Sequence, residues 1–242
     1  MKPLRVPVDA LELGEQVLSL DSSHYVLRVH RARIGESLLL FDPTRGKEAL
    51  ATLVAIDGKA ARCHVEDVFD STAVPKRSVT LLQAFAKGDK TDRILRDATA
   101  LGATSIIIVR TARCVPGPDE GGSEQRRLRW RRIAVEAARQ CGRGNVPEVA
   151  GPIDFERFVD HLGATSLRCL MAPDAAMPFS SLLSRTPAQA IGIFIGPEGG
   201  LEPDEASRLH AAGFLGVRFG DFTLRTETAA IAVLGALVDW GS

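Results

Sequence analysis

Two stretches near the C-terminus hold residues whose types and spacing suit chemistry. In the first, Ile191-Gly192-Ile193-Phe194-Ile195 runs straight into Gly196-Pro197-Glu198-Gly199-Gly200. The apolar run reads as a buried strand, and the loop after it can turn sharply and bring bare backbone against a ligand. Pro197 stiffens that turn. A helix is expected from Pro203 to Ala212, and Asp204 and Glu205 in its first turn disfavour a phosphate at that N-terminus. The loop matches neither the P-loop pattern nor the dinucleotide fingerprint, so it suits a ligand without phosphates.

The second stretch is Phe219-Gly220-Asp221-Phe222-Thr223-Leu224-Arg225-Thr226-Glu227-Thr228-Ala229-Ala230. Thr226 is expected to cap a helix over Glu227 to Trp240, with Arg225 and Glu227 at its start. Taken alone, these residues also fit an exposed capping turn. Next to a Gly-rich loop one strand earlier, a shared pocket is the favoured reading. The terminal helix is apolar nearly all round, which predicts burial on most sides, inside the domain or against a second subunit.

The elements that must position these loops read as an α/β domain. Strands are expected over Ser78 to Ala86, Ser105 to Arg110, Leu167 to Ala172, Ala190 to Ile195 and Gly216 to Phe219. They alternate with helices over Asp89 to Leu101, Glu124 to Cys141, Phe155 to Leu162 and the two already named. Such alternation predicts a mostly parallel sheet, whose ligands sit outside the carboxyl ends of the strands. The first seventy residues instead read as a small β-rich domain, with strands over Val26 to Val29, Ser37 to Phe41, Ala49 to Ala55 and Ala60 to Val65, and a hairpin turn at Asp57-Gly58-Lys59. The boundary is expected near residue 73, giving domains 1–73 and 74–242.

Composition bounds the function classes. The chain has 242 residues and no net charge, and no apolar run reaches the roughly 18 residues of a membrane span. Residues 1–20 lack an apolar secretory core, so the expected compartment is the cytoplasm. Cys63, Cys114, Cys141 and Cys169 are widely spaced, and the histidines form no ligand pattern, which favours reduced, mostly buried thiols and no metal. The zero charge excludes a uniformly basic nucleic-acid binder, but it is a sum of unlike parts. Residues 76–150 carry a net +7 between segments of −2 and −5. Within them, the helix expected from Glu124 to Cys141 has an apolar face of Trp130, Ile133, Ala134, Ala137, Ala138 and Cys141, with Ser123 available as N-cap. Arg129, Arg132, Glu136 and Arg139 line the opposite face. That row is either a solvated helix face or a phosphate-tracking stripe, and a single acid among the arginines favours the stripe.

The pair Gly196-Pro197-Glu198-Gly199-Gly200 and Leu224-Arg225-Thr226-Glu227-Thr228-Ala229 resembles the signature of the 16S ribosomal RNA uridine N3-methyltransferase family, within the SPOUT class of knotted methyltransferases. His24 to Val29 with Arg31, Arg33, Gly35 and Leu38 to Phe41 resembles the PUA-like RNA-binding barrel of that family. Gln83-Ala84, Lys87-Gly88-Asp89, Leu101-Gly102-Ala103, Trp130 and Glu136 to Arg143 resemble its middle motifs. The resemblance spans the chain, and it is the order and spacing of the motifs that make it specific.

It implies a deep trefoil knot at the C-terminus, a homodimer and S-adenosylmethionine (SAM) as cofactor. Carried over, the cofactor residues are Ala172; Ile195, Gly196, Pro197, Glu198, Gly199 and Gly200; and Phe219, Gly220, Leu224, Arg225 and Thr226. Arg225 and Glu227 are the candidate catalytic residues. Arg225 would stabilise the anion that develops when uridine N3 loses its proton, and Glu198 or Glu227 would orient the groups or accept that proton. Arg5, Arg28, Arg31 and Arg33, with Arg129, Arg132, Arg139 and Arg143, are the candidate contacts to 16S ribosomal RNA.

The chain departs from the family pattern at Asp97, at Ala100-Leu101-Gly102 and at Thr111-Ala112-Arg113-Cys114. These departures are expected to fall outside the cofactor motifs and to bear on target choice. Two alternatives stay open: a methyltransferase of the same class acting on another RNA position, and a catalytically silent assembly factor with the same fold.

Overall fold

The computed structural model describes residues 3–114, 123–185, 190–238 and Trp240. The chain divides into two compact units, Met1–Val74 with Val135–Val146, and Pro75–Ala134 with Pro147–Ser242.

In the smaller unit, β1 (Leu4–Pro7), β2 (Gly14–Val17), β3 (Ser37–Asp42), β4 (Lys47–Asp57) and β5 (Ala60–Asp70) form one sheet in the order β1-β3-β4-β5-β2. β1 runs parallel to β3 and every other pairing is antiparallel. The expected hairpin joins β4 to β5, with Gly58 at a φ of 65°. Alternation along the strands buries Leu38, Leu40, Leu53, Ala61 and Cys63, while His64 points out.

The strand expected over Val26 to Val29 is helical instead. α1 (Leu20–His24), capped by Ser19, runs on into a wider π turn over Tyr25–Val29. A four-residue apolar run carries too little periodicity to separate strand from helix, and the buried Ser23 hydroxyl decides it by donating to Leu18 O and accepting from Ala61 N. Arg31 follows at a φ of 55°, rare for a residue with a side chain. Arg28, Arg31 and Arg33 are exposed.

Three expected RNA contacts, Arg5, Arg143 and Arg139, are instead engaged within this unit, which corrects that assignment. Arg5 Nη1 lies 2.6 Å from Glu48 Oε1, with the two side chains only 10% and 9% exposed. Its Nη2 donates to the Arg143 carbonyl at 2.9 Å, and its guanidinium stacks over Phe41. Arg143 is buried, donates from Nε to Asn145, and has its pKa pulled down to about 10 by burial. Arg139 is largely covered, stacked 3.9 Å from the Tyr25 ring centroid and paired with Glu136.

In the larger unit, β6 (Ser78–Ala84), β7 (Ser105–Arg110), β8 (Glu148–Asp154), β9 (Leu167–Met171), β10 (Ala190–Ile195) and β11 (Leu215–Val217) form an all-parallel sheet, ordered β11-β9-β10-β6-β7-β8. Side chains alternate between its two faces. Leu81, Ile106, Ile108, Ile191, Ile193 and Ile195 meet α2 (Lys90–Ala100), α3 (Ser123–Cys141), α4 (Phe179–Arg185) and α6 (Thr226–Val238). Leu82, Ile107, Val109 and Phe194 meet the 3-10 turn Phe155–His161 and α5 (Pro203–Ala211). Burial on both faces explains why these strands read as continuous apolar runs.

β8 and α4 were not expected. Gly151 and Pro152 break the strand signal of β8, and α4 spans only two turns. The segment expected as a helix at Phe155 is a 3-10 turn. In α3, Trp130, Ala134, Ala137 and Ala138 are buried as expected, but Cys141 is exposed at the helix end; the side chain of Ser123, expected as its cap, lies outside the described residues. Burial pushes the Cys63 thiol up to about 11 and Cys169 to about 12, whereas Cys114 is half-buried. α6 buries Ala229, Ala230, Val233, Leu234 and Leu237 and leaves Ile231 and Val238 exposed, so one apolar flank stays uncovered. Arg77 anchors the end of this helix by donating to the carbonyls of Leu237 and Trp240.

Arg5→Met strands the Glu48 carboxylate in the core of the smaller unit, a loss of about 3–5 kcal/mol, while Arg28→Met on the surface stays within about 0.5 kcal/mol. Chemical denaturation of both variants checks this, and an unchanged midpoint for Arg5→Met removes the structural role.

Candidate active site

The chain builds β6, β7 and β8 outward in one direction, then returns to lay β10 against the other edge of β6. Neighbouring strands whose connections leave in opposite directions open a crevice at their carboxyl ends. The Gly-rich loop follows β10, and the Lys87-Gly88-Asp89 segment follows β6, so both lie at that crevice.

The loop is held from inside. Gly200 N–H donates to the Pro197 carbonyl at 3.0 Å, closing a tight turn, and Gly200 has a φ of 74° that a side chain would strain. Thr226 does not cap its own helix, contrary to expectation. Its hydroxyl donates to the Gly196 carbonyl at 2.9 Å and accepts from Gln83 Nε2 at 2.8 Å. The Gln83 amide nitrogen also donates to the Ala84 carbonyl at 3.0 Å, which fixes the amide orientation because a carbonyl can only accept. Both side chains are buried. The first backbone bond of α6 runs from Ala229 N–H to the Arg225 carbonyl, so Arg225 occupies the cap position with its side chain exposed.

The outer side of the loop is held by charge. Lys90 Nζ lies 2.6 Å from Glu198 Oε1 and 3.5 Å from Glu227 Oε2. Burial alone would push the Glu198 carboxyl up. Its hydrogen bond from Lys90, its own backbone N–H and the charges of Lys90 and Lys87 outweigh that and hold it below the ordinary carboxylate range. Lys90 is raised in turn, chiefly by its hydrogen bond to Glu198. Glu227 Oε2 is buried and has no hydrogen bond among the described residues.

The segment Thr111 to Cys114, expected to lie apart from the loop, touches it directly. Arg113 Nη1 donates to the Gly199 carbonyl at 2.9 Å and Nε to Glu202 at 2.9 Å. A Cβ on Gly199 would sit 3.2 Å from Arg113 Cβ, close enough that Arg113 would have to shift by a few tenths of an ångström. Buried Glu205 accepts from Ala112 N–H at 2.7 Å and from Glu202 N–H at 2.9 Å, completing a capping box on α5. Of the two acids in that first turn, Glu205 is thus occupied by backbone donors, while exposed Asp204 pairs with Arg208.

Of the other expected site residues, Ala172 follows β9 and donates to the Val217 carbonyl, Ile195 and Pro197 are buried, and Phe219 packs against Phe179. Leu224 packs on the core of α6, and Gly220 is exposed at a φ of 72°. Ala172, the Ile195–Gly200 loop and the Phe219–Thr226 segment therefore all follow carboxyl ends of parallel strands. Arg129, exposed, is paired with Asp92, and Arg132 is exposed. Lys90, Arg113 and Glu202 were missed by sequence reasoning. Lys90 did carry a signal, since a lysine in the first turn opposes the helix dipole and so points to another partner.

A family model described as an RNA methyltransferase domain matches residues 73–238, and one described as an RNA methyltransferase PUA domain matches residues 20–66. Proteins named ribosomal RNA small subunit methyltransferase E from Mycobacterium bovis and Synechocystis are 30% and 33% identical, covering 91% and 97% of this chain and 85% and 78% of the relatives. The structure superposes on a methyltransferase from Legionella pneumophila solved with bound SAM (TM-score 0.89, 27% identity, 98% of this chain and 97% of that one). It also superposes on a ribosomal RNA small subunit methyltransferase E from Neisseria gonorrhoeae bound to S-adenosyl methionine (TM-score 0.88, 29% identity, 97% and 96%). The chain therefore belongs to the ribosomal RNA small subunit methyltransferase E family of RNA methyltransferases.

Proposed function

We propose that this protein transfers a methyl group from SAM to N3 of a uridine in 16S ribosomal RNA. The observation that carries the reading is the Thr226 hydroxyl joined to the Gly196 carbonyl, which draws the two signature segments to one crevice. The residues fit the cofactor. Bare backbone at Gly199 and Gly200 admits a close ligand, the occupied acids of α5 disfavour phosphates, and Glu198 and Glu227 favour a cation such as a sulfonium. The loops after β9, β10 and β11 would hold it through backbone groups, within the knot that the family resemblance implies. When bound, SAM supplies an already activated methyl group.

The work left to the protein is to position the base and stabilise charge. Arg225, exposed at the start of α6, stabilises the anion spread over O2, N3 and O4 of the uracil ring. Lys90 lies 2.6 Å from Glu198 but 3.5 Å from Glu227, so Glu227, the more loosely held of the two, is the better proton acceptor. Residues 1–73 act as the RNA-binding module and 74–242 as the catalytic one. Arg28, Arg31 and Arg33, with Arg129 and Arg132, track phosphates. The uncovered flank of α6 packs against a second copy in a homodimer. No described helix is long and apolar enough to cross a membrane, consistent with work in the cytoplasm. Arg113 still braces the Gly-rich loop despite the departure around it, which favours a working enzyme over a silent factor.

Calorimetric titration should give SAM binding to the purified protein, and nucleoside analysis of 16S ribosomal RNA from a deletion strain should show N3-methyluridine lost. Unchanged N3-methyluridine in that strain removes this activity. Arg225→Ala should keep the fold by circular dichroism and cut methyl transfer by about 100-fold or more, the scale for losing one preorganised charge-stabilising group; near-normal turnover would sink its role. Thr226→Val leaves a buried carbonyl and amide donor unpaired, so denaturation should register a loss of about 1–3 kcal/mol together with weaker SAM binding.

A further inference from the structure

Lys90 stands where the helix dipole disfavours a cation, in the first turn of α2, yet its ammonium meets two carboxylates from segments 108 and 137 positions further along the chain. One belongs to the Gly-rich loop and the other to the first turn of α6. The other acids nearby are already engaged. On α2, Asp89 pairs with Arg93 and Asp92 with Arg129 of α3. Beyond the loop, Arg113 pairs with Glu202. The charge of Lys87 also lowers the Glu198 carboxyl, and Arg225 precedes Glu227 in the chain.

Without Lys90, two carboxylates would face each other across the mouth of the crevice and repel, and the loop would lose its only ionic tie to α2 among the described residues. Thr226 holds the loop at Gly196, but two residues further on, at Glu198, the hold is Lys90.

We infer that Lys90 is a positioning residue, a cationic clasp that keeps Glu198 of the Gly-rich loop and Glu227 of α6 side by side in the arrangement that receives the cofactor. It acts through the two acids and does not contact the reacting atoms. The part of this inference that concerns cofactor binding rests on the proposed function; the clasp itself does not.

The test therefore has one arm without ligand. In the unliganded protein, the Glu198 carboxyl followed by carbon-13 NMR should titrate below the ordinary glutamate range. In Lys90→Met it should move up by about one pH unit or more, since a neighbouring opposite charge shifts a carboxyl by about 1–3 units. In Lys90→Arg it should return most of the way. The second arm measures SAM binding across pH. A lowered carboxyl keeps its charge as pH falls, so wild-type binding persists into acid; Lys90→Met should bind about tenfold more weakly at neutral pH and lose binding at a higher pH, with Lys90→Arg intermediate. An unmoved Glu198 titration overturns the clasp, and a moved titration with unchanged binding overturns its role in receiving the cofactor. If wild type itself fails to bind SAM, the proposed function falls while the titration arm still judges the clasp. Should Lys90→Met fail to fold, Lys90→Gln is read in its place by the same titration: an upward move of the Glu198 carboxyl supports the clasp, and an unmoved one overturns it.

Discussion

The hydroxyl of Thr226 joins three segments that are remote in sequence: the end of β6 through Gln83, the loop after β10 through the Gly196 carbonyl, and the first turn of α6 that Thr226 itself begins. A buried hydroxyl and a buried amide lose more by going unpaired than they gain by pairing, so each restricts where the others can be. The two signature segments are held at one crevice by this bond, and the outer contacts of Lys90 and Arg113 act on a loop whose root is already set. The all-parallel sheet makes the arrangement possible, because β10 lies against β6 in register and brings their carboxyl ends together.

Electrostatics then sorts the acids around the loop. Glu205 is spent on backbone donors at α5, Glu202 on Arg113, and Glu198 on Lys90. Glu227 alone of the four keeps a buried oxygen without a hydrogen bond among the described residues. Four carboxylates that look alike in the sequence thus divide into three that are hydrogen-bonded and one, Glu227, held only by the longer ion pair to Lys90. The arginines divide in the same way. Arg5 and Arg143 are consumed inside the smaller unit, whereas Arg28, Arg31 and Arg33 face solvent.

Much of this was legible in the sequence where periodicity was long or chemistry local. The buried strands around Leu81, Ile107 and Ile193, the helices carrying Ile94 and Val233, and the Asp57-Gly58-Lys59 hairpin all follow from patterns within one element. The errors have a common cause. Val26 to Val29 was too short to show a period, β8 was hidden by Gly151 and Pro152, and Thr226 looked like a cap because a cap is what a threonine at a helix start serves when nothing distant competes for its hydroxyl.

By itself, the sequence determined the α/β character of the larger unit, singled out the glycine loop and the Arg225-Thr226-Glu227 segment as the candidate site, and showed an uneven charge beneath a neutral total. These are properties of neighbouring residues, and local sterics and hydrophobic periodicity set them. Only the tertiary structure decided which arginine is buried, which glutamate is most loosely held, and that Lys90 and Arg113 belong to the loop. Each of those outcomes is a contest among partners brought together by folding, won by burial and distance, and neither quantity exists along a linear chain.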